Sequence, residues 1–218
     1  MCLKDANGIW IHDSNSLKVT ILQHFQDLYH TSLSHSFQDS FDSISRGPKI
    51  NDSSWGDLVL PPTNAEIWFA IKSMKPWKAP GPDGLHAAFF QQYWDSINPK
   101  LCNEIRLVFS SGTMPESWNN SLICLIPKVQ NPETISQFRP IGLCNVIYKI
   151  VTKIIVLRLR DLIGDLISPL QSSFIPGRRG TDNVFLLREF VYCFTKKKGR
   201  SGDMIIKIDL EKAYDRLE

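Results

Sequence analysis

Residues 146–163 constrain the fold of this chain more than any other stretch. Apolar residues recur there in pairs, Val146/Ile147, Ile150/Val151, Ile154/Ile155 and Leu162/Ile163. That spacing lays one apolar stripe along a long helix. Lys149, Lys153, Arg158 and Arg160 interrupt the run, so it is not a membrane span. Asn145 stands where a cap belongs, and Gly164 where the helix should stop. Such a stripe needs partners, and the chain offers several. Thr63-Asn64-Ala65-Glu66 has the form of a capping box, followed by Ile67, Ala70, Ile71 and Met74 on one helical face. Residues 85–94 predict a short helix. Asn98-Pro99 opens another, with Leu101, Ile105, Val108 and Phe109 inward and Gly112 closing it. Leu17, Ile21, Phe25 and Leu28 predict an amphipathic helix over 16–30, after a turn at Asn7-Gly8, and a further helix is expected over 182–194. Residues 121–126 read as a buried strand and 204–208 as a second β-prone run. The expectation is a helix-rich α+β chain with a small antiparallel sheet.

Residues 31–62 are rich in Ser, Asp, Gly and Pro and have no sustained period, which predicts a long loop or linker. A boundary near residue 60 follows, separating residues 1–59 from 60–218. With 43% hydrophobic residues over 218 positions, the chain can bury a real core. Its net charge of +3 is unevenly placed. Residues 1–118 hold nine Lys and Arg against twelve Asp and Glu, and residues 119–218 hold sixteen against ten. The basic half suits a polyanionic partner or is simply a solvated basic face. Cys2, Cys102, Cys124, Cys144 and Cys193 lack CxxC or Cys/His metal spacing, an odd and dispersed set that suggests reduced, buried thiols inside a cell. Met1 to Trp10 has no apolar leader run. The five histidines make no catalytic or metal spacing, and neither GxxxxGK[ST] nor GxSxG occurs.

Four places carry residues suited to chemistry. At 204–215 a β-prone run delivers Asp209, and a helix-prone run follows. A carboxylate held at a strand end suits Mg²⁺, which binds one or two carboxylates together with substrate phosphates; the competing reading is an N-cap. Tyr214 would set a ring beside a bound substrate. Lys128 and Arg139 flank a strand–turn–strand, where a guanidinium fork and an ammonium could grip a triphosphate or stand as two surface cations. Arg178 and Arg179, between Gly177 and Gly180, suit a nucleic-acid backbone or a plain tight turn. Gln171 and Phe174 suit a template base, and Phe174 alternatively a core. Residues 75–84 form a rigid loop with two lysines and a tryptophan, and Lys196 to Lys198 with Arg200 read as a solvated turn.

Taken in order, the motifs resemble the reverse transcriptase of plant LINE-type non-LTR retrotransposons. Lys78-Ala79-Pro80-Gly81-Pro82-Asp83-Gly84 is similar to its N-terminal fingers motif. Leu125-Ile126-Pro127-Lys128 and Phe138-Arg139-Pro140-Ile141-Gly142-Leu143-Cys144-Asn145-Val146-Ile147-Tyr148-Lys149 resemble the first fingers block. Gln171-Ser172-Ser173-Phe174-Ile175-Pro176-Gly177-Arg178-Arg179-Gly180-Thr181-Asp182-Asn183 resembles the second, and Lys207-Ile208-Asp209-Leu210-Glu211-Lys212-Ala213-Tyr214-Asp215-Arg216 the first palm block. The resemblance implies a partial right-hand polymerase, fingers plus the start of the palm, over 60–218, preceded by an endonuclease-to-polymerase linker. It implies that Asp209 and the Leu210 carbonyl bind Mg²⁺, that Tyr214 sits under the incoming sugar, and that Lys128 and Arg139 hold a dNTP. Lys78, Gln171, Phe174, Gly177, Arg178 and Arg179 would meet an RNA template and DNA primer. The chemistry implied is attack of a primer 3′-hydroxyl on the α-phosphate. A paired-aspartate hairpin, the C-terminal palm and a thumb are not among these residues, so the chain alone is expected not to polymerise. The alternatives are a non-catalytic nucleic-acid-binding fragment and a retroelement remnant. The resemblance places it in the nucleus, with no membrane partner.

Overall fold

The computed structural model describes residues 2–5, 7–30, 48–197 and 204–208. They fall into two compact units, Met1–Arg46 with Leu125–Ile141 and Tyr192–Glu218, and Gly47–Cys124 with Gly142–Val191.

In the first unit, β1 (Leu3–Lys4) and β2 (Trp10–Ile11) pair antiparallel with Leu3 opposite Ile11. Gly8 takes the positive φ of 81° at the turn between them. Asp13 caps α1 (Ser14–Tyr29), its carboxylate accepting from the Ser16 N–H at 2.8 Å. That bond holds the Asp13 carboxyl below the usual range. Leu17 and Phe25, on the expected stripe, are the buried residues of α1. Strands β3 (Ser121–Pro127) and β4 (Phe138–Cys144) form the second two-stranded sheet. A connection this short joins antiparallel strands. Leu125, Ile135 and Phe138 of this hairpin pack with Leu3, Leu17, Ile11 and Ile21. Lys4 fastens the same place, its N–H and Nζ donating to the Glu133 carbonyl at 2.6 Å and carboxylate at 2.5 Å. The strand at 121–126 is present, but it is not buried: Leu122 is 52% and Ile123 47% exposed. Only Leu125 of β3 joins the small core.

The second unit is helical. Ile67, Ala70 and Ile71 of α3 (Asn64–Lys72) meet Ala87 and Phe90 of α4 (Ala87–Gln92). Leu101, Cys102 and Ile105 of α5 (Trp94–Ser111) and Val146, Ile150, Val151 and Ile154 of α7 (Val146–Arg160) complete this core. Each large aliphatic side chain buried here is worth about 1.5–3 kcal/mol. Trp68 and Trp94 stack at its edge with centroids 4.9 Å apart, and burial raises the Cys102 thiol pKa against the opposing charge of Arg106. The capping box forms as the sequence predicts: Thr63 Oγ1 accepts from the Glu66 N–H, and Glu66 Oε2 from the Thr63 N–H.

Several expectations are corrected here. Within the expected linker, α2 (Asp52–Val59) is a helix with Asn51 Oδ1 accepting from the Ser54 N–H at 2.7 Å. Arg158 of α7 holds its end, Nη1 donating to the Leu58 carbonyl at 3.0 Å and the Leu60 carbonyl at 2.6 Å. Residues 31–47 of that linker lie outside the described residues. Helix α5 begins at Trp94, so Pro99 lies inside it. Proline cannot donate to the Asp95 carbonyl four residues back, and Asn98 Nδ2 approaches that carbonyl at 3.4 Å instead. Gly112 closes α5 at φ 68° as expected. Helix α7 ends at Arg160, and Gly164 lies inside the separate short α8 (Ile163–Leu166). Tight i to i+3 bonds at Leu162 and Asp165 divide the two. Helix α9 (Gly180–Lys196) buries no side chain. Of the five cysteines only Cys102 is buried, and Cys2, Cys124 and Cys193 are exposed. Residues 204–208 join no strand, because among the described residues no neighbour pairs with them.

Arg158 also binds Glu66, with Nε 3.0 Å and Nη2 2.9 Å from the same carboxylate oxygen. Burial pushes the Glu66 carboxyl up, but the Thr63 N–H and the Arg158 guanidinium outweigh it and hold the group below the usual range. A depressed folded pKa means stability that is complete above the ordinary value near 4.3 and lost as pH falls through the folded value. Arg158→Ala should destabilise the chain by about 2–4 kcal/mol, read from denaturant unfolding at neutral pH. Glu66→Gln should flatten the acid limb of stability against pH relative to the parent.

Candidate functional site

The fingers-like motif at 78–84 is held in place by one buried side chain. Asn145 occupies the N-cap position of α7 but makes no side-chain cap bond. Its Oδ1 accepts from the Asp83 N–H at 3.2 Å, and its Nδ2 donates to the Ser117 carbonyl at 3.0 Å. Asn145 therefore joins residues 80–84, α6 (Glu116–Asn119) and the start of α7. Gly81 makes this possible: a Cβ there would lie 2.4 Å from both Asn145 N and Oδ1 and 2.6 Å from the Cys144 carbonyl carbon. Further bonds brace the loop. The Ala88 N–H donates to the Pro76 carbonyl at 3.0 Å, His86 Nδ1 donates to the Lys78 carbonyl at 2.9 Å, and Lys149 Nζ reaches the Ala79 carbonyl at 3.4 Å. On this fixed backbone Lys75, Trp77 and Lys78 are all exposed.

The second loop, residues 167–180, is organised by an arginine that the sequence assigned to nucleic acid. The Arg178 Nη1 donates to the Ser168 carbonyl at 2.5 Å and the Gln171 carbonyl at 2.8 Å. Its Nη2 donates to the Gly164 and Ile167 carbonyls at 2.8 and 3.0 Å. Four carbonyls occupy the guanidinium fork, so Arg178 is the brace of this loop. Arg179 is exposed and its guanidinium bonds to no described residue. Ser172 and Ile175 turn inward, while Phe174 stands 90% exposed with φ at 65°. A phenylalanine in the left-handed region is strained, and such strain persists only where the surroundings enforce it. The core alternative for Phe174 is thereby set aside. Gln171 is exposed, with Nε2 donating to the Ser173 carbonyl at 3.3 Å, and Gly177 supplies the positive φ of 79°.

On the β3–β4 hairpin, the Lys128 N–H donates to the Gln137 carbonyl at 2.8 Å, which sets the two opposite one another. Gln137 ends a 3-10 turn (Ile135–Gln137), and Arg139 follows as an exposed residue of β4. Lys128 Nζ is drawn to the Ser136 carbonyl at 3.0 Å, and the exposed Arg139 guanidinium bonds to no described residue. Both cations thus stand on one hairpin. Asp209, Leu210 and Tyr214 lie outside the described residues. Among the described residues no group of three or more His, Cys, Asp or Glu gathers for a metal. The locking role of Asn145 was missed, because an Asn before a helix reads as a cap. The signal lay in Gly81, a glycine set between two prolines.

Residues 126–218 match the family described as Reverse transcriptase (RNA-dependent DNA polymerase). The whole chain is 32% identical to the Transposon TX1 uncharacterized 149 kDa protein of Xenopus laevis and spans 16% of that protein. It is 28% identical over 155 residues, 71% of this chain, to a Retrovirus-related Pol polyprotein from type-1 retrotransposable element R2 of Popillia japonica, spanning 20% of it. Against the corresponding polyprotein from type-2 retrotransposable element R2DM of Drosophila melanogaster it is 28% identical over 139 residues, 64% of this chain and 12% of that protein. The chain spans less than a quarter of the length of each of these relatives. Residues 126–218 are thus similar in sequence to the reverse-transcriptase family, and the chain as a whole to proteins of these transposable elements.

Gly81→Ala should force the loop off Asn145 and destabilise the chain by about 1–3 kcal/mol or more. Asn145→Ala strands a donor and an acceptor and should cost about 2–4 kcal/mol. Thermal and denaturant unfolding measure both, and limited proteolysis should show new cleavage within 75–84 in each variant.

Proposed function

We propose that this chain supplies the nucleotide- and template-contacting part of an RNA-directed DNA polymerase of a non-LTR retrotransposon. The observation that carries the reading is the alignment of all 218 residues with the TX1 protein, together with the family match from 126 onward. That matched span contains Lys128, Arg139 and Asp209. In this reading Lys128 and Arg139, one on each arm of the hairpin, take the triphosphate of a dNTP by charge-assisted hydrogen bonds. Asp209 and the Leu210 carbonyl are hard oxygen donors of the kind Mg²⁺ prefers, and the metal would supply charge neutralisation at the transferred phosphate. Tyr214 would lie under the incoming sugar. Lys78, Gln171, Phe174, Gly177 and Arg179 would face the template strand, with Arg178 holding the last four in position.

The finer assignments, an element of the plant LINE type working in the nucleus, rest on the wording of the motifs alone. Two-metal chemistry asks for more carboxylates than Asp209 offers, and this observation favours one second reading: nucleotide and nucleic-acid binding without turnover by these residues alone.

The test is titration of a fluorescent dATP analogue into the folded chain with Mg²⁺. Lys128→Ala and Arg139→Ala should each weaken binding about tenfold, and Asp209→Ala should remove its dependence on Mg²⁺. Affinity indifferent to all three substitutions would sink the polymerase reading.

A further inference from the structure

The family match begins at residue 126, yet the hairpin that carries Lys128 and Arg139 is held by a residue 129 positions before its turn. Lys4 of β1 reaches that turn twice. Its N–H donates to the Glu133 carbonyl at 2.6 Å, and its Nζ to the Glu133 carboxylate at 2.5 Å. From Glu133 the bonds run on toward the first cation. The Glu133 N–H donates to Gln137 Oε1 at 2.6 Å, and the Gln137 carbonyl accepts from the Lys128 N–H at 2.8 Å. On the other arm Phe138, the residue before Arg139, is buried in one cluster with Leu3 and Leu17. Lys4 is itself set in place. Asp5 Oδ1 accepts from the Asn7 and Ile9 N–H groups at 2.9 and 2.8 Å, closing the β1–β2 turn, and Lys4 Nζ lies 4.8 Å from the centre of the Trp10 ring.

From this arrangement we infer that the β1–β2 hairpin is a working part of the nucleotide site, with Lys4 a positioning residue that holds the backbone from which Lys128 and Arg139 reach a triphosphate. The β3–β4 hairpin needs such a holder. A two-stranded sheet is marginal by itself, and β3 leaves most of its side chains exposed. Between its arms residues 128–137 form a long connection whose one regular element is the short turn Ile135–Gln137. Two cations on separate arms act together only while that connection keeps its shape, and a misplacement of about 1 Å can cost about a hundredfold in rate. The Lys4–Glu133 ion pair is partly exposed, so by itself it contributes little to global stability. Its effect is local: it seizes Glu133, whose N–H shares Gln137 Oε1 with the N–H of Thr134. The inference rests on the proposed polymerase reading for the identity of the ligand, and it gives residues 2–11, outside the matched span, a role in holding it.

The experiment is titration of the fluorescent dATP analogue with Mg²⁺ into the full chain, each variant being held well below its own unfolding midpoint so that lost affinity is not lost fold. Lys4→Glu sets a second carboxylate against Glu133 and should weaken binding about 3- to 10-fold. Lys4→Glu combined with Glu133→Lys restores opposite charges and the parent's net charge, and should recover most of the affinity. Lys18→Glu, at an exposed position of α1, makes the same change in net charge as Lys4→Glu and should leave the affinity near the parent's. Linkage supplies a reading that a merely structural pair would not move: saturating dATP should slow amide hydrogen exchange in residues 2–11 of the parent. Affinity in Lys4→Glu equal to the parent's, a loss that the exchanged pair does not recover, or exchange at 2–11 indifferent to dATP overturns the inference. If that happens while dATP binding still depends on Lys128 and Arg139, the positioning role fails and the polymerase reading stands; if the parent binds no dATP, both fail.

Discussion

The second unit depends on a close approach of two backbones at Gly81 and Asn145. A Cβ at position 81 would sit within bonding range of the first turn of α7, so only a residue without one lets the 80–84 loop reach the Asn145 side chain. Once there, the loop satisfies the Asn145 Oδ1, and α6 satisfies its Nδ2. A buried amide with both ends paired fixes three segments in one geometry, and an unpaired one would cost stability. The core beneath contributes most of the free energy of this unit, but it does not specify where a polar loop lies on its surface. That placement comes from one amide and one missing methyl group.

Arginine plays the same part elsewhere. Arg106 donates to the Pro62 carbonyl at 3.1 Å and to Asn64 Oδ1. Arg158 takes the Leu58 and Leu60 carbonyls, and Arg178 takes four carbonyls of its own loop. Connections without regular structure leave carbonyls unpaired, and a planar fork of five donors collects several at once. The consequence for function is direct. The excess of cations in residues 119–218 overstates the charge offered to a polyanion, because Arg158 and Arg178 are committed to the fold. Among the remaining cations are Lys128 and Arg139 on the hairpin, Lys149, Lys153 and Arg160 along α7, Arg179 beside Phe174 and the exposed Arg188 of α9.

What was legible in the sequence follows from the range of the forces involved. The capping box at Thr63, the turn at Gly8 and the closure at Gly112 are local, decided within four residues, and each reads directly from residue type. The stripe on α7 was legible as far as Ile154, because one face alternating with charge has a single helical solution. Helix α2 was not, since Asn51 is a weak local signal and the helix end is held by Arg158, about a hundred positions away in the chain. The start of α5 was misplaced because proline favours a first turn, whereas here Asn98 approaches the carbonyl that Pro99 leaves. Among the site residues, Lys128 and Arg139 were readable as lying on a strand–turn–strand, which the structure has. Arg178 was not, because an arginine that braces carbonyls and one that grips phosphate look alike in sequence; only the partners distinguish them.

Exposure of apolar groups also has two meanings in this chain, and the backbone tells them apart. Val184, Phe185, Leu187, Phe190 and Val191 of α9 all face solvent, as one would find on any helix without a packing partner, and nothing selects one of them over its neighbours. Trp77 and Phe174 are different. Each is a single aromatic on a loop whose backbone is braced by hydrogen bonds, and Phe174 is kept outward in spite of a positive φ. Burying Phe174 would relieve exposure, yet the Arg178 bonds hold the loop in the conformation that displays it. A large ring kept in water at the cost of backbone strain is the feature the template reading of Phe174 starts from. Stacking on a base would recover the contact area that exposure gives up.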